Sequence, residues 1–323
     1  MSKKNAAIVL GSTKDFFYAT GPVVLNIKKF SPDLADDIVI YYDDIAERDR
    51  EILKDEFGCR LIPYDCPLKT SHKATVALQR FTLLSFSIYE IFSLLDEYHH
   101  VLWLDSDICI QDDISGILEY GPVGIRHGGT NLKTALGRSV DPALDDLPTN
   151  NTGVVLVTDE LPDYHALREQ CYFYTEKFVD TLWLPDQAIL NYVLLKNNIS
   201  AANLGDIYNY TIYNPLHSFG KARIFHLAGE VKFWNHSVLR NMFPVWKECY
   251  KEWLDLGGSA YGGDQLFMDV GDSFSVLNML SAMYPQSQET LAAKVIIAEQ
   301  DETIKQLSEH VEDLLLLVKN RPS

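Results

Sequence analysis

The sequence contains no apolar run long enough to cross a membrane and no excess of basic residues. Its apolar segments fall short of the roughly 20 residues that span a bilayer, and the first, residues 6–10, is also too short for a signal-peptide core. The formal net charge is -17, from 45 acidic and 28 basic residues. Nucleic-acid binding requires clustered Lys and Arg, so this balance argues against a nucleic-acid partner. A site for an anionic ligand must therefore be local, formed by a metal ion or a few well-placed cations.

Cysteine is scarce and irregularly placed. The five cysteines are widely spaced and show neither the paired spacing of a zinc site nor the density of a disulfide framework. They indicate ordinary buried thiols in a reducing compartment. Apolar residues make up 47% of the chain, which is enough to bury a sizeable core.

Apolar strands alternate with helical segments along the first part of the chain. The predicted strands are residues 6–10, 38–42, 101–104, 153–157 and 222–225, and the predicted helices are residues 19–30, 76–98, 161–178, 187–195 and 234–254. Such alternation predicts an α/β fold with a mostly parallel, Rossmann-like sheet flanked by helices. Ligands of such sheets bind beyond the carboxyl ends of the strands. Acids that follow predicted strands, at residues 43–44 and 105–107, are expected at that edge.

The composition changes twice after residue 255. Residues 257–263 are mostly Gly and other small residues, which indicates a hinge or linker. Beyond Pro285, branched apolar residues recur seven apart, at Ile297, Ile304, Val311 and Val318. This spacing predicts a short coiled coil, with an amphipathic helix folded onto the first domain as the alternative. We therefore divide the chain into a domain of residues 1–255, a linker and helical region of residues 256–285, and a heptad-bearing helix of residues 286–323.

Asp105 and Asp107 flank Ser106 directly after a predicted buried strand. Two carboxylates at this spacing can reach one divalent cation. Hard oxygen ligands suit Mg²⁺ or Mn²⁺, which keep open positions for phosphate oxygens. The same pattern also occurs in solvated turns and in metal-dependent phosphatases of the haloacid dehalogenase type. Those phosphatases carry the pair on their first strand, whereas about a hundred residues precede it here.

His226 ends the last predicted strand and opens a second segment of interest. A single histidine at the end of a strand is most often a structural residue. Here Gly229 permits close approach of the backbone to a ligand, and Lys232 supplies a compact cation. Both features would suit a bound diphosphate.

Four motifs follow one another along the chain. They are an apolar strand ending in Asp-x-Asp at 101–107, an Asn-Thr-Gly-Val strand at 151–156, Asp-Gln opening a helix at 186–191, and a His-x-x-Gly-x-x-Lys segment at 226–234. Together they resemble the motifs of the retaining glycosyltransferases of family 8. Phe233 stands where the family has proline. The resemblance covers roughly residues 6–236. It implies a GT-A fold and metal-dependent transfer of a hexose from a UDP-sugar to a hydroxyl acceptor. The heptad pattern would add a C-terminal helical extension to that fold.

The resemblance also implies roles for individual residues. The ligands of Mn²⁺, or of Mg²⁺, would be Asp105, Asp107 and His226. The catalytic residues facing the sugar would be Asn151, Asp186 and Gln187. The donor-binding residues would be Gly11, Ser12, Thr13, Asp43, Asp44, Arg80, Ser106, Gly229 and Lys232. Without the family, the three sugar-facing residues read equally well as polar caps of a strand or a helix.

One family feature is absent from its usual place. The family generally carries an Arg on the helix before the Asp-x-Asp strand, where it reaches the donor. Residues 86–89 of this chain, Phe-Ser-Ile-Tyr, occupy that place. Arg80 is the nearby candidate, two helical turns earlier, so either it serves this role or the contact is absent.

The acceptor is expected to be a saccharide or a lipid-linked saccharide, because family members of this size often build bacterial surface polysaccharide. We expect the protein in the cytoplasm or at the inner face of the cell membrane. Its heptad helix would form homo-oligomers or bind another enzyme of the pathway. A catalytically weak scaffold acting through this coiled coil is the main alternative.

Overall fold

The computed structural model describes residues 2–68, 81–211, 214, 216–229 and 231–263. Three features predicted from the sequence lie outside the described residues: Arg80, the greater part of the region 256–285, and the heptad helix 286–323. They stay predictions.

The chain divides into two compact units. The larger contains residues 1–214 and 221–267, and the smaller contains residues 215–220 and 268–323. The described residues of the smaller unit belong to a short 3-10 helix, Leu216–Lys221.

The described strands of the larger unit form one large sheet and one small one. The strands are β1 Lys4–Ser12, β2 Asp37–Tyr42, β3 Arg60–Pro63, β4 Tyr98–Leu104, β5 Ile108–Ile110, β6 Val123–Arg126, β7 Asn151–Thr158, β8 Ala202–Asn203 and β9 Ile224–His226. Seven of them lie in the order β3-β2-β1-β4-β7-β6-β8, and β5 pairs with β9. Only β7 runs antiparallel to its neighbours in the large sheet. The prediction of a mostly parallel α/β sheet is confirmed.

Helices accompany this sheet along the chain. The α-helices are α1 Phe17–Phe30, α2 Glu47–Glu51, α3 Ile91–Leu94, α4 Leu132–Leu136, α5 Tyr164–Phe178, α6 Pro185–Lys196, α7 Gly205–Tyr208, α8 Ser237–Met242 and α9 Pro244–Asp255. The larger unit also contains the 3-10 helices Lys14–Phe16, Leu83–Glu90 and Ser115–Glu119 and the π-helix Ile52–Glu56. None of the helices in the described part of the chain combines the length and apolar character of a membrane span.

The central strands are buried on both faces. Val9 and Val101 belong to one hydrophobic core, whereas their chain neighbours Leu10 and Leu102 belong to a second core on the opposite face. Successive side chains of a strand point to opposite faces, so a strand covered on both sides must be apolar throughout. This explains the uninterrupted apolar runs from which the strands were predicted.

The prediction of one long helix over residues 76–98 is wrong in its described part. Residues Leu83–Glu90 form a 3-10 helix, α3 adds a single turn, and β4 already begins at Tyr98. The segment is apolar because it is buried on nearly every side, not because one helical face is apolar. Hydrophobic composition alone does not distinguish such a segment from a helix.

The predicted helix 234–254 is two helices, α8 and α9. Proline disfavours the α conformation in the residue before it, and Phe243 has a φ of -112° and a ψ of 73°. Pro244 then begins α9, where its missing N–H costs no hydrogen bond.

The first part of the predicted linker belongs to the larger unit and packs against two of its helices. The backbone N–H of Ser259 donates to Asp49 Oδ1 at 2.7 Å, and the indole of Trp253 donates to the Ser259 carbonyl at 3.0 Å. Asp49 is almost fully buried by this contact. The small residues after 256 therefore fit against α2 and α9.

Candidate metal and donor site

A cleft of about 540 Å³ opens beyond the carboxyl ends of β1 and β4. Most of the residues predicted for the site line it: Gly11, Thr13, Asp105, Ser106, Asp107, Asn151, Asp186, Gln187, His226, Gly229 and Lys232. These residues come from five separate parts of the chain. The parallel sheet brings them to one edge, as expected for a fold of this class.

Pairing of β5 with β9 places His226 next to the two aspartates. Ile108 lies opposite His226 in this pair, and the backbone N–H of Leu227 donates to the Asp107 carbonyl at 3.0 Å. Asp105 is held from the other side, because its backbone N–H donates to the Gly153 carbonyl at 2.9 Å. A Cβ atom on Gly153 would lie 2.1 Å from the imidazole Cε1 of His226, so only glycine leaves room for the ring.

Asp105, Asp107 and His226 form a cluster that could hold a metal ion. His226 Nε2 lies 3.2 Å from Asp107 Oδ1 and 3.7 Å from Asp105 Oδ2. One potential ligand atom from each residue lies within 4.8 Å of the others. In the part of the chain that the structure describes, no second cluster of three such residues occurs.

The hydrogen bonds around the carboxylates leave two oxygens directed at this point. The Trp103 indole donates to Asp105 Oδ1 at 2.8 Å, and Lys232 Nζ binds Asp107 Oδ2. Asp107 Oδ1 is buried without a hydrogen-bond partner. His226 Nε2 could serve it only when protonated. A divalent cation would satisfy both atoms, so these residues fit the metal that the family resemblance implies.

The site concentrates charge in a partly closed space. The Asp105 side chain keeps 38% of its surface open, yet burial and then the charge of Asp107 raise its pKa to about 7. Burial by itself would also raise the pKa of Asp107, but the charges of Lys232 and His226 outweigh it and hold that pKa below its usual range. Burial would lower the pKa of His226, and the two carboxylates raise it instead. A bound cation would relieve the repulsion between the carboxylates.

The predicted sugar-facing residues line the same cleft as the metal ligands. Asp186 stands in the first turn of α6 rather than at its cap, accepts a hydrogen bond from Thr152 Oγ1 at 3.0 Å, and has its pKa raised by burial. Gln187 donates to Thr149 Oγ1 at 3.1 Å. Asn151 Oδ1 accepts from the backbone N–H of Gly153 at 3.1 Å. Each of these side chains is thus fixed by a neighbour.

Three predicted donor-binding residues do not line the cleft in the described part of the chain. Ser12 is buried and accepts a hydrogen bond from Thr20 Oγ1 at 2.9 Å. Asp43 and Asp44 are exposed at the end of β2. Asp43 Oδ1 accepts from the backbone N–H of Lys14 at 3.0 Å, and Asp44 pairs with the Lys14 ammonium at 2.6 Å. Ser106 lines the cleft, but its hydroxyl lies 2.9 Å from Thr20 Oγ1.

The segment after His226 is held by packing as well as by hydrogen bonds. Gly229 has a φ of 113°, which other residues rarely adopt. Lys232 Nζ donates to the Leu227 carbonyl at 2.6 Å in addition to Asp107. Phe233, where the family has proline, is fully buried and stacks on Trp246 with ring centroids 5.4 Å apart. At this position the chain therefore has a core residue where the family has proline.

Sequence reasoning missed several residues of the site. Phe16, Leu184 and Trp103 line the cleft, and Trp103 also orients Asp105. Asn209 lies behind the cleft and contacts His226 Nδ1 at 3.0 Å. Trp103 lies within the apolar strand that precedes Asp105, and the apolar pattern of that strand does not distinguish it from a core residue. No local pattern marks Asn209.

The mostly parallel sheet and the Asp-x-Asp carboxylates at its carboxyl edge agree with the GT-A glycosyltransferase fold that the four motifs predict. The model of glycosyl transferase family 8 matches residues 7–237, and the chain belongs to this family. A sequence comparison with curated proteins gives no match.

Solved structures with the same fold are also glycosyltransferases. The galactosyltransferase LgtC, in complex with donor and acceptor sugar analogs, is similar at 16% identity with a TM-score of 0.59, over 77% of this chain and 99% of that one. The bifunctional WbbM is similar at 15% identity and a TM-score of 0.54, over 80% of this chain and 52% of that one. GlyE of Streptococcus pneumoniae is similar at 19% identity and a TM-score of 0.51, over 80% of this chain and 65% of that one.

Proposed function

We propose that this glycosyltransferase is metal-dependent and retaining, and that it moves a hexose from a UDP-sugar to a hydroxyl acceptor. The observation that carries the proposal is the cluster of Asp105, Asp107 and His226 beside Lys232 in the cleft. Two carboxylates, an imidazole and a nearby ammonium suit a divalent cation together with a diphosphate. The likeness to LgtC, which was solved with a donor sugar analog, supports a sugar donor here as well.

Mn²⁺ or Mg²⁺ held by these three ligands would supply positive charge against the leaving diphosphate. Lys232 now rests on Asp107, and we expect its ammonium to transfer to a phosphate oxygen when the donor binds. The backbone at Gly229 would lie close to the same phosphates. Asp186 and Asn151 would hold hydroxyl groups of the sugar, because both line the same cleft as the metal ligands.

We infer that the reaction proceeds on one face of the sugar. The bond between the anomeric carbon and the diphosphate oxygen breaks, the acceptor oxygen bonds to the same face, and its proton passes to the departing phosphate. A double displacement would require a side-chain nucleophile, and an amide such as Gln187 is a poor one. Mass spectrometry of the enzyme with donor alone tests this step. A covalent glycosyl adduct on any side chain would exclude it.

The decisive experiment measures release of UDP from a UDP-sugar. Wild type and Asp107→Ala are incubated with Mn²⁺ and either UDP-glucose or UDP-galactose, and with p-nitrophenyl phosphate in parallel. We expect slow release of UDP by wild type only. Phosphate release without UDP release would identify the phosphatase alternative. Failure to bind or hydrolyse any nucleotide sugar would favour the scaffold.

We propose a saccharide or lipid-linked saccharide as acceptor, a role in bacterial surface polysaccharide synthesis, and action in the cytoplasm or at the inner face of the membrane. The heptad helix 286–323 would join copies of the chain or bind a pathway enzyme. Light scattering of the full chain and of a chain ending at Tyr284 tests the first option. An oligomer that survives the truncation would contradict it.

A further inference from the structure

The side chain of Asn209 is fully buried between two residues of the candidate site. Its Oδ1 lies 3.0 Å from His226 Nδ1, and its Nδ2 donates to Asn151 Oδ1 at 2.8 Å. One amide therefore contacts both a predicted metal ligand and a predicted sugar-facing residue.

The orientation of these groups follows from one backbone hydrogen bond. The N–H of Gly153 can only donate, so the atom of Asn151 that it meets must be the carbonyl oxygen. That oxygen requires a donor from Asn209, which must therefore present its NH₂ group. The remaining atom of Asn209, its oxygen, accepts from His226. His226 then carries a proton on Nδ1 and presents Nε2 to Asp107 and Asp105.

The backbone at this position is held independently of the amide. Tyr210, the next residue, donates its N–H to the Ile224 carbonyl at 2.9 Å and accepts from the N–H of His226 at 2.7 Å. The path of the chain beside β9 is fixed by these two bonds. Substitutions at Asn209 therefore test the amide itself.

We propose that Asn209 is a positioning residue that sets His226 for the metal ion and Asn151 for the donor sugar. The inference rests on the function proposed above. Mutation of a residue that binds the second nitrogen of a metal-bound histidine typically lowers metal affinity or activity by about 10- to 100-fold. Asn209 differs from a simple partner of this kind, because its two ends serve two different parts of the reaction.

Two substitutions separate the two ends. Asn209→Asp keeps an oxygen for His226 Nδ1 but loses the donor to Asn151. Asn209→Leu, similar in size, loses both. Mn²⁺ alone is titrated into each protein, and free Mn²⁺ is followed by electron paramagnetic resonance. We expect affinity within about 3-fold of wild type for the aspartate, and about 10- to 100-fold weaker for the leucine.

Kinetics of UDP release test the hydrogen bond from Asn209 to Asn151. Asn209→Asp should lower kcat/KM for the UDP-sugar by about 10-fold, as expected for one lost hydrogen bond to a polar partner. Asn209→Asp added to Asn151→Ala should cost little beyond Asn151→Ala alone, since Asn209 reaches the sugar only through Asn151. Asn214→Leu is the control. Asn214 is also buried in this segment but bonds to Arg126 and Thr211, and its substitution should leave Mn²⁺ affinity unchanged.

Equal Mn²⁺ affinity of Asn209→Leu and wild type would overturn the inference and leave the proposed function standing. Full additivity of the aspartate and Asn151→Ala changes would overturn its second half. If wild type neither binds Mn²⁺ nor releases UDP, the proposed function fails with it. Should the leucine variant not fold, Asn209→Ala replaces it, since alanine removes the amide without adding an apolar branch.

Discussion

The imidazole of His226 lies directly on the backbone of β7 at Gly153. This contact depends on the absence of a single carbon atom. It illustrates how the site is built at the scale of residues: each predicted metal ligand is fixed by a neighbour that is not itself a metal ligand. Asp105 has Trp103, Asp107 has Lys232, and His226 has Gly153 and Asn209.

Gly153→Ala should displace the ring of His226, because the added Cβ would lie 2.1 Å from Cε1. We expect Mn²⁺ affinity to fall at least about 10-fold and stability to fall by about 1–3 kcal/mol, the usual cost of overpacking. Titration with Mn²⁺ and urea unfolding measure the two effects. Gly262→Ala is the matched control, because nothing lies within 4 Å of the Cβ that it would add. Unchanged affinity of the Gly153 variant would contradict the contact.

Trp103→Phe keeps an aromatic ring but removes the N–H that donates to Asp105 Oδ1 at 2.8 Å. A hydrogen bond to a charged group contributes about 1.5–3 kcal/mol. We therefore expect Mn²⁺ affinity to fall by about 10-fold or more, because Asp105 loses its fixed orientation. A thermal melt of the protein without metal should change much less. A variant that binds Mn²⁺ like wild type would show that the indole only fills space.

At the scale of elements, the 3-10 helix Leu83–Glu90 is the part that the sequence predicted least well. It lies before β4, and its residues Leu84 and Ser85 line the cleft. Its last residue, Glu90, fixes it to α5: Arg168 binds both carboxylate oxygens, at 2.9 and 2.8 Å, and the Tyr172 hydroxyl donates at 2.6 Å. This segment is therefore held in place by a partly buried ion pair and a hydrogen bond, and it does not form a long regular helix.

Glu90→Ala should destabilise the protein by about 2 kcal/mol, because it leaves Arg168 partly buried without its partner. Arg168 keeps 30% of its side chain exposed, so the cost stays below that of a fully buried pair. Glu97→Ala removes a surface pair with Arg60 and should cost less than about 1 kcal/mol. Urea unfolding compares the two variants. Equal costs would mean that the Glu90 cluster is not structurally special.

At the scale of the whole molecule, the site joins segments that are distant in sequence. β4 and β7 lie in the large sheet, and β9 joins them through β5. A metal ion that binds Asp105, Asp107 and His226 would therefore link the end of β4 to the end of β9, which are far apart in the sequence. Binding to the folded state alone stabilises a protein by mass action.

Mn²⁺ at about 100 times its Kd should accordingly stabilise the wild type by about 2.7 kcal/mol. The measurement is a thermal or urea melt with and without the ion, with EDTA as the metal-free reference. Asp107→Asn should lose most of this increment; each protein is compared with its own metal-free melt, because losing the charge paired with Lys232 also lowers the metal-free stability. Equal stabilisation of the variant by Mn²⁺ would show that the ion binds at another site.

The sequence determined the core of the fold by itself. Strands such as β1 and β4 are apolar on both faces, and a strand of that kind has to lie inside a covered sheet. The position of Asp105 and Asp107 just after β4 followed directly. Pro244 also sets the start of α9 by local chemistry, although residues 234–254 were predicted as one helix. These features depend only on residues that are near one another in the chain.

Only the tertiary structure decided which distant residues meet. His226 reaches the aspartates because β9 pairs with β5, and Asn209 reaches His226 because the chain beside Tyr210 pairs with β9. Ser12, Asp43 and Asp44 were predicted to bind the donor but do not line the cleft as the structure describes it. Ser12 is buried against Thr20, and the two aspartates are exposed at the end of β2. These hydrogen bonds join groups 8, 17 and 29 residues apart in the sequence. Their partners are selected by packing, which periodicity and motif spacing do not record.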